Sequence, residues 1–254
     1  MKTKKTIRDA AVDCGENSTL GARSTITRRE FLVGSAAVGA TILLPGGLFA
    51  AGGGKKTFTI LHTNDMHASF IGMGPASDYT PFTPNDDATR GGYARLAALI
   101  AQRKAARDPQ GPVLVLDAGD YSMGTAFSAA TRETGGELRL MGKMGYDAAT
   151  FGNHEFDLGP AGLGKSIGVA VKAGRIPALL AANTSFSGSD AALADLQHLA
   201  KKGVVSRYLV LERGGIRFGI FGSLGKEAMI YTSGGATTFA DPTESAREVV
   251  KILR

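Results

Sequence analysis

The chain has no tryptophan and a single cysteine, Cys14, in 254 residues. One thiol can make neither a disulfide framework nor a cysteine-rich zinc site. There are only four histidines, so any imidazole chemistry rests on few side chains. Long apolar runs are missing too. The stretch from Val33 to Ala51 is broken by Pro45-Gly46-Gly47, which argues against a membrane span of about 20 strongly apolar residues. The 35 glycines show no G-X-Y period and no low-complexity block, so collagen-like and linker readings fail and glycine is assigned to turns. What is present is 43% hydrophobic and 20% charged side chains, a globular composition with enough length for one sizeable core or two small ones.

The formal charge of +6 divides unevenly. Residues 1–50 hold 7 of the 29 basic and 4 of the 23 acidic side chains, which leaves the other 204 residues at only +3. No Lys/Arg run and no aromatic-basic interleave follows residue 56, so nucleic-acid binding is not expected. Half of the basic excess belongs to the N-terminal segment. That segment has a polar, basic start, then Thr27-Arg28-Arg29-Glu30-Phe31-Leu32, then an apolar run rich in Gly and Ala with small residues near Ala50. This is the pattern of a twin-arginine export signal over residues 1–50. It predicts the twin-arginine translocation machinery as a partner and a periplasmic or extracellular location. Leu48 stands where a small residue is preferred before a cut, so the segment would serve as an anchor if left uncleaved. The route carries folded proteins, and a cysteine-free body needs no oxidising help outside.

Residues 51–56 read as a Gly/Lys linker and 57–254 as the body. There, short apolar runs alternate with amphipathic stretches. Thr57–Leu61, Val113–Leu116, Asp147–Phe151 and Ala178–Ala182 read as strands, and Tyr208–Leu211 with Arg217–Phe221 as a hairpin across 212–215. Tyr93–Ala106, Glu137–Met144, Leu163–Ala173, Asp190–Lys201 and Thr243–Leu253 read as helices. Residues 68–89 form a long irregular excursion. The alternation predicts an α/β sheet, in which ligands sit beyond the carboxyl ends of the strands.

Polar residues gather at those ends. The loop after the first strand carries Asn64-Asp65-Met66-His67, that after the second Asp117-Ala118-Gly119-Asp120, and that after the third Gly152-Asn153-His154-Glu155-Phe156-Asp157. Asp65 and His67, two apart, would face one point if the loop were extended. Asp120 and Asn153 would add oxygen ligands, a mixed set suited to Mn²⁺, Fe, Zn²⁺, Mg²⁺ or Ca²⁺. Singly, each residue also reads as a turn or cap; the order D-x-H, GD, GNHE behind successive apolar runs is what points to a metal. His62 reads as packed or supporting, His198 as a surface helix residue, Glu155 as a supporting or helix-start residue, and Arg95 as a structural helix residue.

At this point the chain resembles the calcineurin-like metallophosphoesterases and, within them, the secreted 5′-nucleotidase and UDP-sugar hydrolase family. The matching stretches are Ile60–His67 (ILHTNDMH), Gly91–Leu96 (GGYARL), Leu114–Thr125, Gly145–Ala148, Gly152–Asp157 (GNHEFD) and Ala181-Ala182-Asn183. The resemblance implies a layered αββα sandwich and a site with two divalent metal ions. Asp65 and His67 match ligands of the first ion, Asp120 the bridge and Asn153 a ligand of the second, while His154 and Asp157 match the catalytic pair. It further implies attack of a metal-bound hydroxide on phosphorus, with His154 stabilising the leaving oxygen. The substrate would be a phosphorylated small molecule, a nucleotide above all.

The family's later SH-x-G and GH-x-H motifs, and its C-terminal nucleoside-clamping domain, do not occur before Arg254. The expectation is therefore the N-terminal part of an exported phosphoesterase, a sandwich incomplete at its C-terminus and of doubtful activity alone. Two alternatives remain: a non-catalytic exported module that binds a metal or phosphate ligand, and a site completed by a second chain.

Overall fold

The computed structural model describes residues 55–72 and 90–254. The export signal, Cys14, most of the linker and most of the 68–89 excursion lie outside the described residues.

The elements run β1 Thr59–Thr63, α1 Tyr93–Arg107, β2 Val113–Asp117, α2 Gly136–Met144, β3 Ala148–Thr150, α3 Gly159–Ala173, β4 Ala178–Leu180, β5 Thr184–Ser185, α4 Ala194–Lys201, β6 Val205–Ser206, β7 Tyr208–Arg213, β8 Ile216–Phe221, β9 Thr238–Phe239 and α5 Pro242–Leu253, with short helical turns between them. Strands β1-β2-β3-β4-β6 form one parallel sheet in chain order. Right-handed crossovers in such an order place the helices that connect these strands on one face, while α5 packs on the far side against Gly219 of β8. The core bears this out. Val115, Ala149, Leu179 and Val205 pack there with Ile100, Leu138, Met141, Leu163, Ile167 and Leu196.

Because side chains alternate across a strand, Leu114, Ala148 and Leu180 face the other way; they too are buried. The β7–β8 hairpin lies on that side. Ile220 and Phe221 face Leu116, Ala148, Thr150 and Leu180 across a cavity of about 290 Å³. An ion pair holds the hairpin down: Arg213 meets Asp147 at 2.6 and 3.0 Å and donates to the Val113 carbonyl at 2.6 Å. The layers are thus helices, parallel sheet and a second β layer, the α/β order expected.

Most sequence-derived elements are present, with shifted ends. β1 starts two residues late, because its pairing begins at Thr59 with Val113. The hairpin turn is tighter than 212–215, reduced to Gly214 and Gly215 at φ 60° and 67°, where a two-residue turn requires positive φ at both positions. α3 begins at Gly159, with Pro160 in its first turn. In the 190–201 stretch, Asp190 caps a 3₁₀ turn by accepting from the Ala192 amide, and the α-helix starts only at Ala194. Strand β6, two residues long, is the one member of the main sheet that the pattern missed. Among the described residues, no helix is long and apolar enough to cross a membrane.

Candidate metal centre

The loops after β1 and β2 run side by side beyond the sheet and stay hydrogen-bonded. Ala118 N–H donates to Thr63 O at 2.9 Å, Asp65 N–H to Gly119 O at 3.0 Å, His67 N–H to Asp120 O at 3.0 Å, and Ala68 N–H to Tyr121 O at 2.9 Å. This zipper imposes an unusual backbone. Among the described residues, the non-glycine positions with positive φ are Asp65, His67, Ala68, Asp120 and Met123, at 51°, 45°, 48°, 53° and 63°. All five lie on these two loops. Left-handed conformations cost non-glycine residues about 1–2 kcal/mol each, and such strain clusters at functional sites. The extended loop expected around Asp65 and His67 is therefore incorrect. The two side chains converge through left-handed turns, not through strand-like alternation.

The convergence itself is present. One ligand atom from each of Asp65, His67 and Asp120 lies within 4.8 Å of the other two, and His67 Nε2 is 3.6 Å from Asp65 Oδ1. Asp65 is exposed, and His67 and Asp120 are half-buried. Two carboxylates and an imidazole around one point are a chemically coherent donor set for a divalent cation.

The third loop closes on the second. Gly152 is essential to the approach, because a Cβ there would lie 2.1 Å from Asp120 Oδ1. That same Oδ1 accepts the His154 N–H at 2.9 Å, so Asp120 touches the loop bearing Asn153 and His154. His154–Phe156 is a single 3₁₀ turn, in which residues three apart eclipse. His154 Nδ1 accordingly meets Asp157 Oδ2 at 2.7 Å. This bond is the main reason the imidazole pKa is raised above the ordinary 6.5. The His154 ring stands 5.2 Å from that of His67, nearly perpendicular to it. Asn153, the remaining expected ligand, precedes this turn and is half-buried.

Beneath the loops sit two buried carboxylates. Glu155 Oε2 accepts from Asp120 N–H at 2.9 Å and Gly152 N–H at 2.6 Å; its Oε1 accepts from Ser122 N–H at 3.0 Å and Ser122 Oγ–H at 2.8 Å. Burial pushes its pKa up to about 7, against the pull of those donors. Asp117 accepts from Thr63 Oγ1 at 2.7 Å and from Gly119 N–H at 3.0 Å, and burial pushes it up to about 6. Thr63 also pairs with Tyr146 Oη at 2.8 Å. The sequence reading gave Asp117 no role; an acid closing an apolar strand was its only visible signal.

Other candidates fall away from the cluster. His62 is exposed on β1 and lines the cavity under the hairpin together with Asp117; of the two expected readings it is not packed among the helices, and the supporting one is left. His198 is exposed on α4. Arg95 donates to Gly91 O at 3.0 Å, a local helix-start contact. Asn183 is buried and structural. Its amide donates to Leu224 O and Ala240 O, and its oxygen accepts from Leu224 N–H.

Comparison with known proteins adds an independent line. The profile of the family described as calcineurin-like phosphoesterase matches residues 58–229. The 5′-nucleotidase of Bos taurus is 34% identical over 199 residues, covering 77% of this chain and 31% of the bovine protein. Snake venom 5′-nucleotidase of Gloydius brevicauda is 34% identical over 197 residues, covering 77% and 30%. The crystal structure of the 5′-nucleotidase precursor of Thermus thermophilus superposes with a TM-score of 0.58 at 32% identity, covering 77% of this chain and 34% of that one. The chain spans about a third of the length of the relatives it matches.

Proposed function

The chain belongs to the calcineurin-like phosphoesterases, a family of phosphoester hydrolases, and on that premise we propose that it carries the metal-binding and proton-handling part of a 5′-nucleotidase-type centre. The observation that supports this most is the meeting of Asp65, His67 and Asp120 within 4.8 Å. In this reading Asp65 and His67 hold one divalent ion, Asp120 is shared, and Asn153 belongs to a second. Bound ions would supply Lewis-acid stabilisation of the phosphoryl oxygens and activation of the attacking water.

The chain's own groups do the rest. Asp157 holds Nδ1 of His154, which sets the ring orientation and favours the imidazolium. Nε2–H is then the proton to offer to the departing oxygen, and the charge that develops there is met by a cation already in place. Among the described residues, only Asp120 and Asn153 are assigned to the second ion, so its coordination calls for further ligands from solvent, from elsewhere in the protein or from another chain. Nucleotides are the proposed substrates because matched relatives bear the name 5′-nucleotidase. Export by the twin-arginine route rests on Arg28-Arg29 and the apolar run after them, and one relative is a venom protein.

The test is Zn²⁺ or Mn²⁺ titration by calorimetry together with hydrolysis of a nucleoside monophosphate. His154→Ala should cut turnover far more than metal content, and Asp120→Ala should abolish metal binding. Equal metal loss in both variants contradicts the roles. The second reading, a binding module without turnover, is favoured by the small ligand set assigned to the second ion; tight metal binding with no hydrolysis would select it.

A further inference from the structure

The deepest polar contact of the site is made by Glu155, a residue that touches none of the candidate ligand side chains. A single oxygen, Oε2, accepts both the Asp120 N–H at 2.9 Å and the Gly152 N–H at 2.6 Å. The first amide belongs to the shared ligand, the second to the residue before Asn153. The other oxygen holds Ser122 by its amide and its hydroxyl. One side chain thus ties the loop after β2 to the loop after β3. Asp120 is otherwise pinned by its carbonyl to His67 and by its carboxylate to His154 N–H, all at a left-handed φ of 53°. Glu155 is the only one of these partners that is itself a buried carboxylate, at 4% exposure.

Resting on the metal reading above, we propose that Glu155 is a positioning residue. It fixes the separation of the Asp120 and Asn153 loops, and so the metal affinity of the Asp65, His67 and Asp120 cluster, through the two amides that share Oε2. The chemistry makes the requirement specific. Three of the four contacts are backbone N–H groups, which can only donate, and they fall on both oxygens, so both oxygens must accept. In Glu155→Gln, the –NH2 end faces a backbone N–H on whichever side it lies, and either the Asp120–Gly152 pair or the bond from Ser122 N–H is lost. Supporting contacts of this kind are worth about 10–100-fold in metal affinity.

The experiment is Zn²⁺ titration of the full chain and its Glu155→Gln variant by calorimetry at pH 8, with amide hydrogen exchange of the wild type with and without Zn²⁺. The expected result is at least a tenfold weaker affinity, about the lower bound for such contacts, in a variant that keeps the wild-type circular dichroism. Because coupling is reciprocal, Zn²⁺ should also slow exchange at the Asp120 and Gly152 amides of the wild type. This second readout needs no variant and stands if Glu155→Gln fails to fold. Affinity within about twofold of wild type in a folded variant overturns the proposal, as does exchange at those amides unchanged by bound Zn²⁺. A purely structural role would lower the unfolding midpoint and leave affinity intact. If the wild type binds no Zn²⁺, the metal reading itself fails, which is a distinguishable outcome.

Discussion

The two sides of the sheet's polar chemistry follow opposite rules. Under the hairpin, the buried acid Asp147 is fully answered by Arg213 and the Val115 amide, and the backbone there is ordinary apart from a Gly-Gly turn. At the carboxyl edge, acids and an imidazole are crowded together, two buried carboxylates are held by neutral donors, and five non-glycine residues hold left-handed backbone. The first arrangement serves stability. The second spends stability to hold charge at one point, as the proposed metal centre requires.

Substitutions should separate the two regions. The largest effect is expected at the edge: Asp120→Ala removes the proposed shared ligand and should abolish Zn²⁺ binding in calorimetry while the protein stays folded by circular dichroism. Arg213→Ala should do the reverse. Loss of its hydrogen bonds to the buried Asp147 should lower stability by about 2 kcal/mol in urea unfolding, with Zn²⁺ affinity unchanged; Arg213 is itself one-third exposed, which keeps the figure below that of a fully buried pair. If either variant behaved like the other, the division between the regions would be lost.

Smaller effects concern protons. Glu155 and Asp117 are raised to about 7 and about 6 from 4.5 and 3.8. Between about pH 4 and 7 the folded chain binds more protons at these acids than the unfolded chain, so this contribution falls as pH climbs through that window. Metal-free unfolding midpoints should therefore decline towards pH 7.5, and added Zn²⁺ should offset the decline. His154 adds to stability in a higher window. Its raised pKa contributes stability that is fully present below pH 6.5 and is lost as pH passes the folded value. The smallest expected change is Asp157→Asn, which should lower the His154 pKa in an NMR titration without altering Zn²⁺ affinity; no movement of that pKa would remove Asp157 from its assigned role.

The same contrast explains what the sequence disclosed. Helix and strand positions follow from local periodicity, so α1, β2, α2 and the hairpin could be placed from runs such as Leu96, Leu99 and Ile100 or Val113–Leu116 alone. The order of D-x-H, GD and GNHE marked Asp65, His67, Asp120 and Asn153 because each motif follows a strand, and the family resemblance added His154 and Asp157. The backbone that aims them was not legible. Left-handed turns at Asp65 and His67 come from pairing with Gly119 and Asp120, on a loop remote in sequence, and nothing in the local run N-D-M-H demands them. Glu155 was visible only as a supporting residue. Its donors come from positions up to 35 residues away from it in the chain, brought together by sheet topology. His62 stayed open between packed and supporting for the same reason: whether a strand-end histidine is packed depends on which face the helices cover.

In the proposed centre, the carboxyl edge gathers Asp65, His67 and Asp120 around one cation. The direct measurement is a crystal of the full chain grown with Mn²⁺ and recorded for anomalous scattering. The account predicts a peak about 2.0–2.6 Å from a carboxylate oxygen of Asp65, an imidazole nitrogen of His67 and a carboxylate oxygen of Asp120. A peak ligated elsewhere, or none at a Mn²⁺ concentration that saturates binding in solution, would contradict it.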